Sequence, residues 1–353
     1  MHRENNFDAV RLLAAAVVIF GHAHPLTHTV DQGVLGNSVQ ALAVKIFFVI
    51  SGYLICTSWS IDPNFFRYLR KRALRIFPGL IVLCLLTVFV VGPLMTVLPV
   101  SQYFSYLHTF GYFKNIVLRP VYDLPGLFAQ NSYPIAVNGS LWSLPIEFAM
   151  YMVLPLLLVL GNALKTRSVL ALVTLIFCAF SLKFTRIAQP SLHPVIYGSD
   201  LISALDVAPY FLIGAVVKAL NIDALLNPTV ALFFVFTVAL VQPSSLIGSE
   251  AVLFILLPYC TLSLALSSQR LLSSAGRFGD FSYGLYLYGF LVQQVVNQLT
   301  QNGLSALQNA LISLPIALLC AWFSWRFVEK PMLSFKPRPR LNDLKLSLKE
   351  TNV

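Results

Sequence analysis

Polar residues retained inside long apolar stretches are the residues of this chain most suited to chemistry. Arg11 and His22 lie in one such stretch, eleven residues apart, which places them on the same face of a helix. Their separation along the helix axis is roughly 16 Å, so they are not direct partners. An ionisable side chain inside a membrane is costly unless it faces protein or water, so both are functional candidates. The structural alternative is an arginine and a histidine that reach the two membrane interfaces.

Glu147 is a third ionisable group of this kind, about two turns into an apolar stretch that starts from the outer side. We expect its depth in the membrane to resemble that of His22. A carboxylate beside an imidazole can orient or charge it, which is the pairing that general-base catalysis near neutral pH requires. The alternative is a structural carboxylate that pairs with Lys45 or bonds to a tyrosine.

Residues 61–78 form a basic segment with the amphipathic pattern of a helix, which we expect Pro78 to end. Its arginines recur at three- and four-residue spacing, so several guanidinium groups share one face and suit phosphate oxygens. A topological role with attraction to anionic lipid explains the same charges.

A polar stripe with Tyr286, Gln293 and Asn297 is expected to face the bundle interior, where it lines a passage or ties helices together.

The composition excludes a water-soluble fold, because 57% of the residues are hydrophobic and only 11% are charged. The apolar stretches are continuous rather than alternating, which favours helices over a barrel. We therefore predict an all-α polytopic transmembrane bundle of about ten helices, in which the seventh stretch is short for a full crossing. The predicted spans are residues 7–26, 39–58, 79–98, 140–160, 168–185, 203–220, 229–242, 250–268, 281–299 and 305–327.

Most of the 24 lysine and arginine residues fall on one side if the N-terminus is cytoplasmic. The positive-inside rule then places both termini in the cytoplasm, with a basic tail over residues 336–353. This topology accounts for the net charge of +10, so nucleic acid is not an expected partner. An aromatic-rich outer loop spans residues 99–139, and loops of that length are often functional.

Metal and disulfide chemistry are not expected. The five cysteines fall in apolar segments without paired spacing, and His22 with His24 lacks a cysteine or glutamate pattern that would complete a metal site. The first apolar stretch contains Arg11 and has no small-residue cleavage site, so we interpret it as a retained span.

Several motifs in register closely resemble the acyltransferase-3 family of bacterial membrane O-acyltransferases, and they cover nearly the whole chain. They are Arg11 with His22, residues 45–55 (KIFFVISGYLI), 72–78 (RALRIFP), 140–147 (SLWSLPIE), 282–288 (SYGLYLY) and 327–331 (FVEKP).

The resemblance implies transfer of an acyl group, usually acetyl from cytoplasmic acetyl-CoA, to a hydroxyl of a carbohydrate or lipid-linked glycan at the outer face. It implies that His22 is the catalytic base and Glu147 its supporting carboxylate. The donor-binding set it implies comprises Arg72 and Arg75 for the CoA phosphates, with Arg11, Lys45, Ser51 and Gly52 along the donor path. Trp142, Tyr283 and Tyr286 are candidates for the substrate path.

Such an enzyme is expected to be a multi-pass protein of the bacterial cytoplasmic (inner) membrane, in contact with membrane lipids and compatible with a homo-oligomer. The chain resembles a stand-alone member, without the esterase-like domain fused to some relatives. Gly289 stands where many relatives carry a histidine. The rival interpretation is a transporter or flippase for a polar or lipid-linked sugar, since internal charges also mark translocation paths.

Overall fold

The computed structural model describes residues 6–134, 136–166, 168–241, 243–267 and 279–337. The described residues are predominantly helical. The helices are α1 (Phe7–Leu26), α2 (Val39–Ile61), α3 (Phe65–Leu86), α4 (Gly92–Met95), α5 (Val100–Ser105), α6 (Leu107–Gly111), α7 (Ser143–Ala163), α8 (Ser168–Ser181), α9 (Leu201–Ala219), α10 (Pro228–Val241), α11 (Leu246–Leu266), α12 (Ser282–Leu299), α13 (Ala306–Ser324) and α14 (Lys330–Leu333). The two-residue strands β1 (Val195–Ile196) and β2 (Ser199–Asp200) pair antiparallel between α8 and α9.

Each of the ten predicted spans corresponds to a helix, which confirms the all-α polytopic bundle. Within the described ranges, eight helices are long and apolar enough to cross a membrane. The other two are α10, which has only 14 residues as its short apolar stretch predicted, and α12, whose tyrosines and amides lower its hydropathy.

The prediction that Pro78 ends the basic segment is wrong. Asn64 caps α3 by accepting a hydrogen bond from the amide of Arg67, and the helix runs through Pro78. It continues across a π-helical turn into α4, so one 31-residue helix spans Phe65–Met95. Proline removes a single backbone hydrogen bond, and helices in a packed membrane bundle tolerate this loss. The basic segment is therefore the first turns of a membrane helix.

Helices α2 and α9 pack unusually closely because each places a glycine at the contact. A methyl group at Gly52 would lie 1.8 Å from the carbonyl oxygen of Phe211, and one at Gly214 would lie 2.1 Å from that of Val49. Small residues allow this backbone approach in membrane bundles, where packing rather than hydrophobicity drives helix association.

The described part of the outer loop, residues 99–134 and 136–139, contains short helices and enters the bundle at its end. It contains α5, α6 and a 3₁₀ helix over Tyr112–Val117. Asn138 donates a 2.8 Å hydrogen bond to the carbonyl of Leu287, only five residues after the start of α12. The beginning of α7 therefore lies inside the bundle rather than at its outer surface.

The polar stripe of α12 is buried, as predicted, and two of its members tie helices together. Gln293 donates to the carbonyl of Ile19 and to Asn309, and Asn297 donates to the carbonyl of Leu26. Residue numbers rise together along α1 and α12 in these contacts, so the two helices run parallel. Hydrogen bonding between helices therefore accounts for Gln293 and Asn297.

Part of the positive charge that the positive-inside rule places in the cytoplasm lies outside the described residues. It comprises Arg3, Arg167, Arg270, Arg277 and the basic tail from residue 338 onward. The inner end of the bundle is the end that holds the start of α1, which the positive-inside rule predicts to be cytoplasmic.

Candidate active site

A cavity of about 270 Å³ opens at the inner end of the bundle, and we call it the inner cavity. Its polar lining combines four cations with two carboxylates. These groups are Arg11, Arg72, Arg75 and Lys336, together with Asp8 and Asp280. Ser51 and Tyr151 line the same cavity from α2 and α7. The excess of positive charge makes the cavity suited to an anionic ligand such as a phosphate.

Two of the arginines are held by one carboxylate. Asp280 Oδ2 accepts a 3.0 Å hydrogen bond from Arg11 and a 2.6 Å hydrogen bond from Arg75. Burial favours the neutral form of Asp280, but the two guanidinium groups outweigh it and hold the pKa of this carboxyl well below its usual range. Arg75 also lies over the ring of Tyr283. Arg11 and Arg75 are thus fixed, while still lining the cavity.

Arg72 differs because its Nε atom is buried and has no hydrogen-bond partner in the described part of the chain. A buried guanidinium nitrogen without a partner is costly, which makes Arg72 the cation best placed to receive a ligand oxygen. Lys336 lies at the mouth of the same cavity. Partial desolvation there, with the repulsion from Arg72 and Arg75, lowers the pKa of Lys336 to about 8.

The other basic residues of α3 do not all point at this cavity. Arg67 and Lys71 pair with Asp62, at 2.6 Å and 2.7 Å, in the turn before the helix. Hydrogen bonds from Arg67 lower the pKa of Asp62 despite its burial. The basic segment therefore has two roles, a capped turn at its start and a cavity wall formed by Arg72 and Arg75.

Glu147 lies beside the inner cavity. Its Oε1 atom accepts a 2.7 Å hydrogen bond from Ser51 and another from the hydroxyl of Tyr151. It also lines a central cavity of about 40 Å³, whose wall includes Arg11 and Arg75. Glu147 is therefore bonded to a tyrosine, whereas Lys45 pairs with Asp206 and Glu250 instead of Glu147.

The expectation that Glu147 and His22 share one depth is wrong. Ser143 bonds to Tyr286, which lies four residues before Phe290, whose ring contacts the ring of His22. Glu147 lies one further turn toward the inner end. At 1.5 Å per residue these offsets amount to about 12 Å along the axis. The reason is the entry of residue 138 into the bundle, which shifts the start of α7 inward.

His22 lies in the outer half of the bundle. Its Nδ1 atom is buried and has no hydrogen-bond partner among the described residues, and its ring meets that of Phe290 edge-on with centroids 5.1 Å apart. Gly289 packs against α1, since a methyl group there would lie 2.8 Å from a side-chain carbon of Ile19. The close approach of α12 thus leaves little room for a larger residue.

Two members of the predicted donor-binding set lie elsewhere. Gly52 packs against α9 and does not line the inner cavity, because the cavity face of α2 carries Ser51, one residue away. Lys45 has no exposed side-chain surface and pairs with Glu250 at 2.9 Å and with Asp206 at 3.1 Å. Lys45 lies near the outer end of α2, so it belongs to a separate buried ion cluster.

The three candidates for the substrate path occupy two different cavities. Tyr283 and Tyr286 line the central cavity. The Tyr286 hydroxyl donates to the carbonyl of Ser140 at 2.8 Å and therefore accepts from Ser143 at 2.6 Å. Trp142 instead lines an outer cavity of about 440 Å³. The central cavity is too small for a substrate, and it shares Arg11, Arg75 and Tyr151 with the inner cavity.

Sequence reasoning did not identify Asp280, Tyr151, Lys336 or Glu250. Asp280 and Glu250 carried a usable signal, because an acidic residue next to or inside an apolar span normally has a cationic partner. Tyr151 lies one turn after Glu147 on α7, so helical spacing also indicated their contact. Lys336 lies in a basic tail where one lysine cannot be distinguished from its neighbours.

Comparison with known proteins identifies the family of this chain. The family model of the acyltransferase domain matches residues 4–326. An O-acetyl transferase of Shigella phage Sf6 is 30% identical over 97% of this chain and 99% of its own length. Nodulation protein 10 of Rhizobium leguminosarum bv. viciae is 34% identical over 44% of each chain.

A third relative, the regulator of hypoxia-inducible factor 1 of Caenorhabditis elegans, is 29% identical over 51% of this chain and 34% of its own. No solved structure shows a significant match. The family model covers nearly the whole chain, and four of the motifs that suggested the family, at residues 45–55, 72–78, 140–147 and 282–288, contribute residues to the inner or central cavity. The chain therefore belongs to the acyltransferase-3 family and is a multi-pass membrane O-acyltransferase.

Proposed function

We propose that this protein moves an acetyl group from cytoplasmic acetyl-CoA to a hydroxyl of an extracytoplasmic carbohydrate or lipid-linked glycan. The observation that carries the proposal is the positive inner cavity, in which the Nε of Arg72 has no hydrogen-bond partner among the residues that the structure describes. The CoA moiety carries several phosphate charges, and arginine forks are the side chains that bind phosphate oxygens best. The 30% identity to an O-acetyl transferase supports acetyl as the transferred group.

In this proposal the CoA phosphates bind at the mouth, to Arg72 and Lys336. The pantetheine arm then extends past Ser51 and Glu147 toward the outer half of the bundle. The bridge from Arg11 through Asp280 to Arg75 borders both the inner and the central cavity, so it lies where the arm passes. Since the central cavity holds only about 40 Å³, donor binding must widen it.

His22 acts as the general base. Its Nδ1, which has no hydrogen-bond partner among the described residues, or the other ring nitrogen takes the proton of the acceptor hydroxyl while the oxygen attacks the thioester carbonyl. The carbon–sulfur bond breaks, the ester forms, and the CoA thiolate leaves and receives the proton. A thioester supplies its own driving force, so the reaction needs no nucleotide. Direct transfer requires only that thioester and hydroxyl meet beside His22.

Glu147 serves this reaction as a positioning residue. It is about 12 Å from His22 along the axis, too far to hydrogen bond to the imidazole. Through Ser51 and Tyr151 it joins α2 to α7 at the wall of the donor path. The proposal also places the protein in the bacterial cytoplasmic membrane, with the inner cavity facing the cytoplasmic acetyl-CoA pool.

The central test compares two histidines on α1. His22→Ala is expected to abolish acetyl transfer from radiolabelled acetyl-CoA by the purified protein in lipid nanodiscs. General-base catalysis typically contributes about 10²- to 10⁴-fold. His24→Ala is the matched control, because His24 lies two residues further along α1 and bonds to Thr29.

Full activity of His22→Ala at normal protein levels would refute the role of His22. A transporter would neither transfer nor hydrolyse the acetyl group. Wild-type protein that shows neither acetyl transfer nor hydrolysis of acetyl-CoA would therefore contradict the proposed reaction itself.

A further inference from the structure

The outer cavity opens at the end of the bundle opposite the inner cavity. With about 440 Å³ it falls within the volume range of small-molecule sites. Its wall is formed by the turn before α2, the connection between α8 and α9, and the start of α7. The polar and aromatic side chains that line it include Asn37, Trp142, Arg186, His193, Asp200 and Asp206.

The floor of this cavity is rigid because a buried ion cluster supports it. Arg186 donates to Glu250 at 2.6 Å, and Glu250 also accepts from Lys45 at 2.9 Å. The side chains of Lys45 and Glu250 have no exposed surface, whereas Arg186 and Asp206 are 14% and 22% exposed. Arg186 and Asp206 therefore reach into the cavity from a preorganised network.

The charge of the lining discriminates between classes of ligand. Asp200 and Asp206 outnumber Arg186, while Lys45 and Glu250 behind them cancel. An anionic ligand would meet a net repulsion here, in contrast to the inner cavity. A neutral polyhydroxylated ligand finds both donors and acceptors, since each hydroxyl can do both. The half-buried ring of Trp142 offers a flat apolar face, on which the C–H face of a sugar ring can pack.

The outer cavity ends close to the reactive region. Ala41 lines it and Val44 lines the central cavity, three residues apart on α2, while Trp142 and Ser143 are neighbours that line the two cavities. The partition is therefore about one helical turn thick, roughly 4.5 Å. On α1, Gly21 packs against Gln40, next to Ala41, which places His22 at the level of this partition.

We propose that the outer cavity is the acceptor site and that it takes a neutral saccharide, with Trp142 as the stacking surface and Arg186, His193 and Asp206 as the polar contacts. This inference rests on the proposed acetyl transfer. It assigns the acceptor a place and a charge class that the reaction alone does not require.

The test uses the full-length protein in nanodiscs, radiolabelled acetyl-CoA and a panel of trisaccharides. The panel contains neutral hexose and 6-deoxyhexose trisaccharides, each with its uronic acid counterpart. At least one neutral member is expected to accept acetyl with a KM about tenfold or more below that of its uronate, because the uronate carboxylates meet the two aspartates. A second arm presents the preferred sugar on a lipid phosphate; a preference for that form identifies a lipid-linked acceptor.

Two matched histidines provide the site test. His193 pairs with Asp200 at 3.1 Å, and His108 pairs with Asp123 at 2.9 Å; both side chains are 51% exposed, but only His193 lines the cavity. His193→Gln is expected to raise the acceptor KM about threefold, whereas His108→Gln leaves it unchanged. Trp142→Ala is expected to raise it about tenfold, with most of the loss recovered in Trp142→Phe.

Equal acceptor KM values in His193→Gln, Trp142→Ala and His108→Gln would overturn the assignment of the cavity. Preference for the uronate series would overturn the charge class, as would hydrolysis of acetyl-CoA without transfer to any neutral member. If the wild-type protein neither transfers nor hydrolyses acetyl, the proposed function fails instead.

Discussion

Two clusters of buried charge lie at opposite ends of this bundle, and they are built differently. At the inner end, Arg11 and Arg75 share Asp280, while the Nε of Arg72 has no partner in the described residues. At the outer end, Lys45 and Arg186 are paired with Glu250 and Asp206. An uncompensated cation is costly unless a ligand completes it, whereas a paired cluster holds helices in place. We therefore expect the inner cluster to bind the ligand and the outer cluster to support a neutral ligand site.

The largest effect is expected from Glu250→Ala, which leaves Lys45 and Arg186 without their shared carboxylate. Breaking a buried ion pair on one side typically costs about 3 to 5 kcal/mol. Thermal unfolding of the protein in detergent should show a marked loss of stability, while Asp123→Asn on the outer loop, whose side chain is 64% exposed, should not. A Glu250→Ala protein as stable as wild type would show that the outer cluster does not support the fold.

An intermediate effect is expected from Arg72→Gln, because the change removes the cation whose Nε has no hydrogen-bond partner among the described residues and leaves the pairing of Arg75 with Asp280 intact. One charge-assisted hydrogen bond to a phosphate corresponds to roughly a tenfold increase in the KM for acetyl-CoA. Arg70→Gln is the control, since Arg70 is exposed on the same turn of α3. Equal KM values for acetyl-CoA in the two variants would show that Arg72 does not bind the donor, and the inner cluster would then not differ from the outer one in ligand binding.

The smallest effect is a pH dependence that only the inner cavity should show. The pKa of Lys336 is lowered to about 8, so its charge is present at pH 7 and largely lost at pH 9. Loss of this cation at the mouth is expected to raise the KM for acetyl-CoA roughly threefold over that interval. Lys336→Arg should flatten this part of the profile, because arginine stays charged. An unchanged profile in that variant would exclude Lys336 from donor binding.

Much of the fold was predictable from the sequence, because membrane insertion imposes length and hydropathy on each helix separately. The ten apolar stretches all became helices, and α1 begins and ends at the predicted residues. Pro78 was misinterpreted, because the rule that proline ends helices comes from helices in water. The depth of Glu147 was mispredicted because Asn138 and the carbonyl of Ala136 bond to α12 inside the bundle, and no local sequence pattern indicates such contacts.

The candidate site was predictable by residue type and less so by position. Arg11, Arg72, Arg75 and Ser51 do share a cavity. Their helices bring them to one end, which the positive-inside pattern had already indicated for the arginines. Lys45 and Gly52 lie in a recognisable motif with Ser51, yet the three residues face different neighbours, because successive residues of a helix point about 100° apart.

The sequence by itself determined that the chain is a helical membrane protein, which residues inside it are ionisable, and which end carries the positive charge. These properties follow from the cost of burying polar groups in lipid, because this cost applies to each segment independently of the others. The tertiary structure decided which charges are paired, how deep the start of α7 lies, and that Glu147 and His22 are apart. Such distances depend on contacts between residues far apart in the chain, such as Asn138 with Leu287 and Lys45 with Glu250.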